Sequence, residues 1–232
     1  MVKESSFVEY ARQAVEQFIS FDEPRRNMMV DAVNNPKVGN VLDVGCGAGH
    51  QLLPFAEKRG SFCVGIDIDE DVGSVGESLF RKAGLESKST FLRARGEELP
   101  FEKASFDVVI CQVSIPYMDN RKTIAEIARV LRIGGKFFLK IHSPAFYVWM
   151  IKNRLPTLSV KQLMYPLICL TCGTLNLVTG KHPEGAFWKG KEVYQTKRTL
   201  EKELAKNNLQ IVGELMDTNI ATPSFIIEKV KV

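Results

Sequence analysis

Between positions 40 and 142 the chain alternates between short, continuously apolar runs and segments of helical periodicity. The apolar runs are 40–44, 61–66, 91–92, 106–111 and 136–142, and helical patterns occupy 50–59, 71–83 and 120–132. Runs that are apolar throughout read as strands covered on both faces. Alternation with helices predicts crossover connections and a mainly parallel sheet. In such sheets a ligand sits at the carboxyl ends of the strands, near the switch point. Function is therefore expected in the loops after Val44, Ile66, Leu92, Cys111 and His142. Gly73 and Gly76 weaken the helical reading of 71–83, because glycine is a poor helix former.

The flanks complete a single α/β domain over 1–232. Phe7, Val8, Ala11, Val15, Phe18 and Ile19 recur at helical spacing. A second short helix begins at Pro24 and stops at Asn34-Asn35-Pro36, so 1–35 forms an N-terminal helical cover. Residues 144–194 break the rhythm and read as an insertion covering the substrate site. Within it, 162–180 carries no charge but contains Pro166 and Gly173, too mixed for a membrane span of roughly 20 mostly apolar residues. A helix over 196–207 and strands over 209–214 and 224–231 follow.

At 232 residues, 45% hydrophobic and 25% charged, the chain has the composition of a globular protein that buries a core. Residues 1–116 hold 13 Lys/Arg and 18 Asp/Glu, and residues 117–232 hold 18 and 9. The acidic first half disfavours a nucleic-acid surface there, and the basic second half permits an anionic partner. Five cysteines at irregular spacing point to reduced thiols and a cytoplasmic protein. Charges interrupt the first twenty residues, which excludes a signal-peptide reading.

The loop Asp43-Val44-Gly45-Cys46-Gly47-Ala48-Gly49 joins the first strand to a helix, and Asp67 closes the second strand 22 residues after Gly45. Glycines permit sharp turning and close approach to a ligand. A carboxylate at that distance accepts hydrogen bonds from ribose hydroxyls. Together they predict a cofactor containing adenosine. A dinucleotide fingerprint needs a further glycine where His50 stands, and no Walker lysine follows. Asp43 would repel a pyrophosphate and suits a cationic ligand.

In these segments the chain resembles the class I S-adenosylmethionine-dependent methyltransferases. VLDVGCGAGH resembles their first motif, GIDIDED their second, GEELPFEKASFDVVIC their third and fourth, and RVLRIGGKFFLKIHSP the approach to their fifth strand. The resemblance is close over 38–143 and looser elsewhere. It implies a Rossmann-like seven-stranded mixed sheet of order 3-2-1-4-5-7-6, helices on both faces, and a last strand running antiparallel. It also implies that Asp43, Gly45 and Gly47 line the methionine part of the cofactor, that Cys46 between them belongs to the cofactor-binding turn, and that Asp67 holds the ribose. Ile68 packs on the adenine, Gly96 and Glu97 lie at its edge, and Cys111 and Gln112 follow strand four beneath the sulfonium. One departure concerns the adenine. Arg95 stands where many relatives have Asp, and a guanidinium accepts no hydrogen bond. A backbone carbonyl or Glu97 must serve instead.

Methyl transfer is an in-line displacement that mainly requires orientation, with a base only where the acceptor loses a proton early. His142, at the end of strand five, is the candidate base for an oxygen acceptor. His50 is expected to help close the cofactor pocket, and Tyr10 either packs into the core or folds over the cofactor. Ser114-Ile115-Pro116-Tyr117 lies two residues late for the motif of nucleic-acid amino-methyltransferases. Cys169 and Cys172 have zinc-like pair spacing, yet no second pair completes a site, so no metal is expected. Trp149, Met150, Tyr165, Phe187 and Trp188 are candidates to line an apolar acceptor pocket. The expected function is methyl transfer to a small, partly apolar acceptor. RNA or protein methylation and a non-catalytic binding module are the competing readings, and a nicotinamide oxidoreductase fails on His50. Fold alone does not choose among them.

Overall fold

The computed structural model describes residues 6–157, 159–183, 185, 188 and 191–231. Seven strands form one sheet: β1 (Asn40–Val44), β2 (Phe62–Asp67), β3 (Ser89–Arg93), β4 (Phe106–Gln112), β5 (Leu131–Lys140), β6 (Leu209–Glu214) and β7 (Ser224–Lys229). Their order is β3-β2-β1-β4-β5-β7-β6, as the resemblance implied. The first five run parallel, and β7 pairs antiparallel with both β5 and β6.

Eight α-helices accompany the described strands: α1 (Ser6–Ser20), α2 (Glu23–Asp31), α3 (Leu53–Arg59), α4 (Glu70–Lys82), α5 (Asn120–Val130), α6 (Pro144–Arg154), α7 (Val160–Thr179) and α8 (Lys197–Lys206). The strands are apolar throughout because each face meets a separate core. Leu42, Val44, Val109 and Phe137 pack on one face with Ile124 and Ile127 of α5 and Leu200 and Leu204 of α8. Val41, Val108, Ile110 and Phe138 pack on the other with Met29 of α2, Phe55 of α3 and Phe80 of α4. Alternation along β1 puts Asp43 on the second face, at the strand's carboxyl end.

Two sequence expectations need correction. Helix α5 ends at Val130, and β5 begins at Leu131, ahead of Gly134-Gly135 rather than after them. Leu131 pairs with Phe106 and Lys136 with Val108, so the intervening residues bulge out opposite Asp107. The glycine pair makes a β-bulge, not a helix stop. At the other end β5 stops at Lys140, and His142 lies in the following loop. The uncharged tract with Pro166 and Gly173 forms α7, which is continuous over 20 residues.

The glycines of α4 have a packing cause. A Cβ on Gly76 would lie 2.4 Å from the ring of Phe91, and Cβ atoms on Gly49 and Gly65 would come within 2.5 and 2.6 Å of it. The ring occupies space that these residues leave open between helix, loop and sheet. We predict that Gly76→Ala destabilises the fold. Helix propensity favours alanine by about 1 kcal/mol, and overpacking costs about 1–3 kcal/mol. A lower urea midpoint is expected, and a higher one would show that the ring has room to move.

Candidate active site

The turn after β1 folds as it does because its backbone must pass Ser114. Gly45 has φ of +72°, and a Cβ there would lie 2.4 Å from the Ser114 Cβ. Ser114 Oγ donates to the Val44 carbonyl at 2.7 Å and meets Cys111 Sγ at 3.1 Å. The N–H groups of Gly45 and Cys46 both donate to the Ile66 carbonyl, at 2.8 and 2.9 Å, tying the loop to β2. Gly47 N–H donates to Asp67 Oδ2 at 3.0 Å, and Asp69 N–H donates to Asp67 Oδ1 at 3.1 Å. The glycine loop and the acid 20 residues beyond Gly47 thus form one unit.

Asp43 is buried and makes no hydrogen bond among the described residues. Burial, and then the neighbouring Asp67 charge, push its carboxyl up to about 8. A lone carboxyl in that setting ionises readily only opposite a cation. His50 is half-buried against the Phe18 ring of α1, with centroids 5.1 Å apart. Burial lowers it to about 4, which keeps it neutral, and its Nδ1 is buried without a partner. A Cβ on Gly47 would meet nothing within 4 Å, and Ile68 is 61% exposed just past β2. An unpartnered carboxyl, an orphaned ring nitrogen, an open glycine turn and an exposed apolar residue beside Asp67 fit S-adenosylmethionine. The carboxyl would take its ammonium, Asp67 its ribose and Ile68 its adenine.

The other expected cofactor residues are placed differently. Cys46 sends its sulfur down onto β2, where a Cβ on Gly65 would meet it at 2.8 Å, so its backbone faces the turn. Cys111 lies in the core, its thiol pushed up to about 12 by burial against the opposing pull of Ser114. Gln112 Nε2 reaches Met29 Sδ at 3.9 Å. Gly96 is packed against Met118. Glu97 Oε1 accepts from Asp119 N–H at 3.1 Å, and its other oxygen lies 3.6 Å from Arg95. The protein thus occupies the Glu97 carboxylate. Tyr10 is 64% exposed on α1, which excludes core packing for it.

A second constellation stands after β4 and β5, and sequence reasoning named only part of it. Glu192 is buried, and its two oxygens receive four groups. Tyr117 and Tyr165 donate to Oε1 at 2.9 and 2.6 Å, while Tyr147 donates to Oε2 at 2.8 Å and His142 Nδ1 meets the same oxygen. Burial alone would raise Glu192, but hydrogen bonds from His142 and Tyr165, with His142's charge, outweigh it and hold the carboxyl down at about 2. An ionised carboxylate only accepts, so Nδ1 is the donor to Glu192 and Nε2 is the ring nitrogen left for an acceptor. Among the described residues, Nε2 makes no hydrogen bond and is not sealed from solvent. Phe146 stacks on the imidazole at 3.9 Å, and Trp149 stacks over Phe146 at 6.1 Å.

The Ser114–Tyr117 run is the hinge between the two constellations. Ser114 holds the glycine turn, the Pro116 carbonyl accepts from Val193 N–H at 2.8 Å, and Tyr117 reaches Glu192. Gln195 N–H donates to the His142 carbonyl at 3.0 Å, fixing the Glu192 segment from the other side. Cys169 and Cys172 are buried on α7. Phe187 lies outside the described residues. A cleft of about 430 Å³ opens at the opposite edge of the sheet, lined by Asn35, Asp107, Arg132 and Glu228. There Asp107 pairs with Arg132 and accepts the N–H groups of Gly39 and Asn40, which is structural work away from the carboxyl ends.

Comparison with known proteins agrees with this geometry. Residues 42–139 match the family described as Methyltransferase domain. The chain is 30% identical over 143 residues to the uncharacterized methyltransferase YcgJ of Bacillus subtilis, covering 61% of this chain and 56% of that protein. It is 34% identical over 99 residues to the sterol 4-C-methyltransferase strm-1 of Caenorhabditis elegans, covering 42% and 29%. The chain thus spans about half, or less, of the length of these curated relatives. The crystal structure of Bacillus subtilis YcgJ superposes with a TM-score of 0.61 at 19% identity, over 91% of this chain and 100% of that one. Fold, glycine turn and sequence match agree: residues 42–139 are a methyltransferase domain, set in a sheet of the order that the class I resemblance implied.

Proposed function

We propose that this chain transfers the methyl group of S-adenosylmethionine to a hydroxyl of a small, partly apolar acceptor. The observation that carries the reading is the His142–Glu192 pair: His142 follows β5 on the sheet edge where the glycine turn follows β1, and Glu192 reaches it from the segment between α7 and α8. When bound, S-adenosylmethionine supplies a methyl carbon on a positively charged sulfur, open to in-line attack. The chain's own residues then have three tasks. Asp43 and Asp67 orient the cofactor. Nε2 of His142 takes the acceptor's proton, leaving a charge that Glu192 stabilises through Nδ1. Phe146 and Trp149 offer ring faces to an apolar acceptor. The sterol named for one relative suits such a pocket. Five buried free thiols support a reducing, cytoplasmic setting.

The test is release of S-adenosylhomocysteine across phenols, aliphatic alcohols, amines and bulk RNA. Turnover on hydroxylated small molecules, little changed by salt, is expected. Salt-sensitive turnover confined to RNA would overturn the reading. Tight cofactor binding with no turnover on any acceptor would also overturn it, in favour of a binding module.

A further inference from the structure

We propose that the outward face of α7 docks on an anionic phospholipid surface, with the helix lying in the plane of the membrane interface.

Helix α7 is built inside out for a protein surrounded by water. The face against the domain carries small residues: Pro166, Cys169, Cys172 and Gly173 are buried. A Cβ on Gly173 would lie 2.1 Å from the Tyr194 ring, so the backbone itself is pressed onto the domain. The large apolar residues point the other way. Val160, Met164, Leu167, Leu175 and Val178 fall on one stripe at helical spacing and are 40% to 79% exposed. The helix is about 30 Å long at 1.5 Å per residue. Only 22% of its most apolar stretch, of mean hydropathy 1.2, is buried. An exposed apolar surface of this extent marks an interaction site.

The polar groups on the helix point to lipid. Thr171, the hydroxyl residue in the stripe, donates to the Leu167 carbonyl at 3.0 Å. Thr174 and Thr179 donate to the carbonyls of Leu170 and Leu175 at 2.8 and 2.7 Å. These hydroxyls are satisfied within the helix and need no water. The charges supply the sign. Between Ser143 and Pro183 the sequence has four Lys/Arg and no Asp or Glu. Lys152, Lys161 and Lys181 are exposed, without an acidic partner among the described residues; Lys161 is in the first turn of α7 and Lys181 just past its last. An apolar stripe with basic ends is the pattern of a helix that lies on anionic lipid.

By length and composition α7 could also cross a bilayer. Its attachment decides against that. Tyr165 bonds Glu192 at 2.6 Å and Thr174 meets Tyr194 OH at 3.0 Å, so one side is bolted to the domain along its length. The row Trp149, Phe146, His142 leads from the neighbouring helix α6 to the proposed base.

The test is co-sedimentation of the full chain with phosphatidylcholine vesicles and with mixed phosphatidylcholine–phosphatidylglycerol vesicles. Binding to the mixed vesicles that weakens with added salt is expected. The double variant Leu167→Glu, Leu175→Glu should lose roughly tenfold or more of it. Because both positions are on the surface, the melting temperature should be unchanged. A second variant, Lys161→Glu with Lys181→Glu, should weaken binding without touching the stripe. Absence of binding, equal binding to both vesicle types, or equal binding by both variants would overturn the proposal. So would a wild-type dimer that the leucine variant converts to monomer, since the stripe would then be covered by a second copy.

Discussion

Asp43→Asn should abolish cofactor binding and, at the same time, remove a pH dependence from the stability of the free protein. The buried Asp43 carboxyl is held up to about 8 by its burial and by the Asp67 charge. In the unfolded chain the same group ionises near pH 4. Between these values the folded state retains a proton that the unfolded state has lost. The sign follows: stability falls as pH rises from about 4 to about 8, by roughly 5 kcal/mol over the window. Asparagine has the shape of the neutral acid and does not titrate, so its profile should be flat there. Chemical denaturation of both proteins at a series of pH values measures this directly. Identical profiles would show that Asp43 is ionised in the free protein. A cationic ligand group removes the penalty by ionising the acid, so the feature that destabilises the free protein selects the cofactor.

His142→Ala should lower turnover on a hydroxyl acceptor by about 10²–10⁴-fold, the usual contribution of a positioned base, with cofactor affinity unchanged. Glu192 acts through His142 and is a positioning residue. Glu192→Gln should lower kcat and displace the pH–rate profile, and Glu192→Asp should restore part of both. A loss from packing alone would lower active enzyme without moving the profile. The titratable groups around the pair are Tyr117, Tyr147, Tyr165 and Cys169, with Lys191 against the Tyr165 ring. Burial and the Glu192 charge push Tyr117, Tyr147 and Tyr165 upward, so they stay protonated as donors through neutral pH. The carboxylate also has a stability signature. Its depressed value, about 2, means stabilisation that is present above about pH 4.5 and lost as pH falls toward 2, worth roughly 3 kcal/mol. Glu192→Gln should lack that acid-side loss.

The glycine turn and its two acids were legible in the sequence because they are local. Strand, glycine turn and helix are consecutive, and the second acid ends the next strand, so spacing encodes geometry. Cys111 was misleading because its position at the end of β4 says nothing of which way the thiol points, and Ser114 lies between it and the glycine turn. In the second constellation His142 was visible as a candidate, but the carboxylate beside it was not. Glu192 sits in an irregular stretch with no periodicity and joins His142 across 50 residues. One signal was available: Glu192 is flanked by Val193 and follows a long tract with almost no acids. Tyr165 and Trp149 were visible as aromatics, but their roles depend on packing. Gly134-Gly135 read as a helix stop because a glycine pair marks a helix end and a bulge alike, and only pairing with Phe106 and Val108 separates the two.

The most direct measurement is calorimetric titration of the protein with S-adenosylmethionine, S-adenosylhomocysteine and NADH, repeated on Asp43→Asn and Asp67→Ala. The expected result is binding of the first two and not the third, lost in both variants. At neutral pH the heats should depend on the buffer, because ionising Asp43 releases a proton. Binding of NADH, or full affinity for S-adenosylmethionine in both variants, would contradict the assignment of the glycine turn and its two acids to this cofactor.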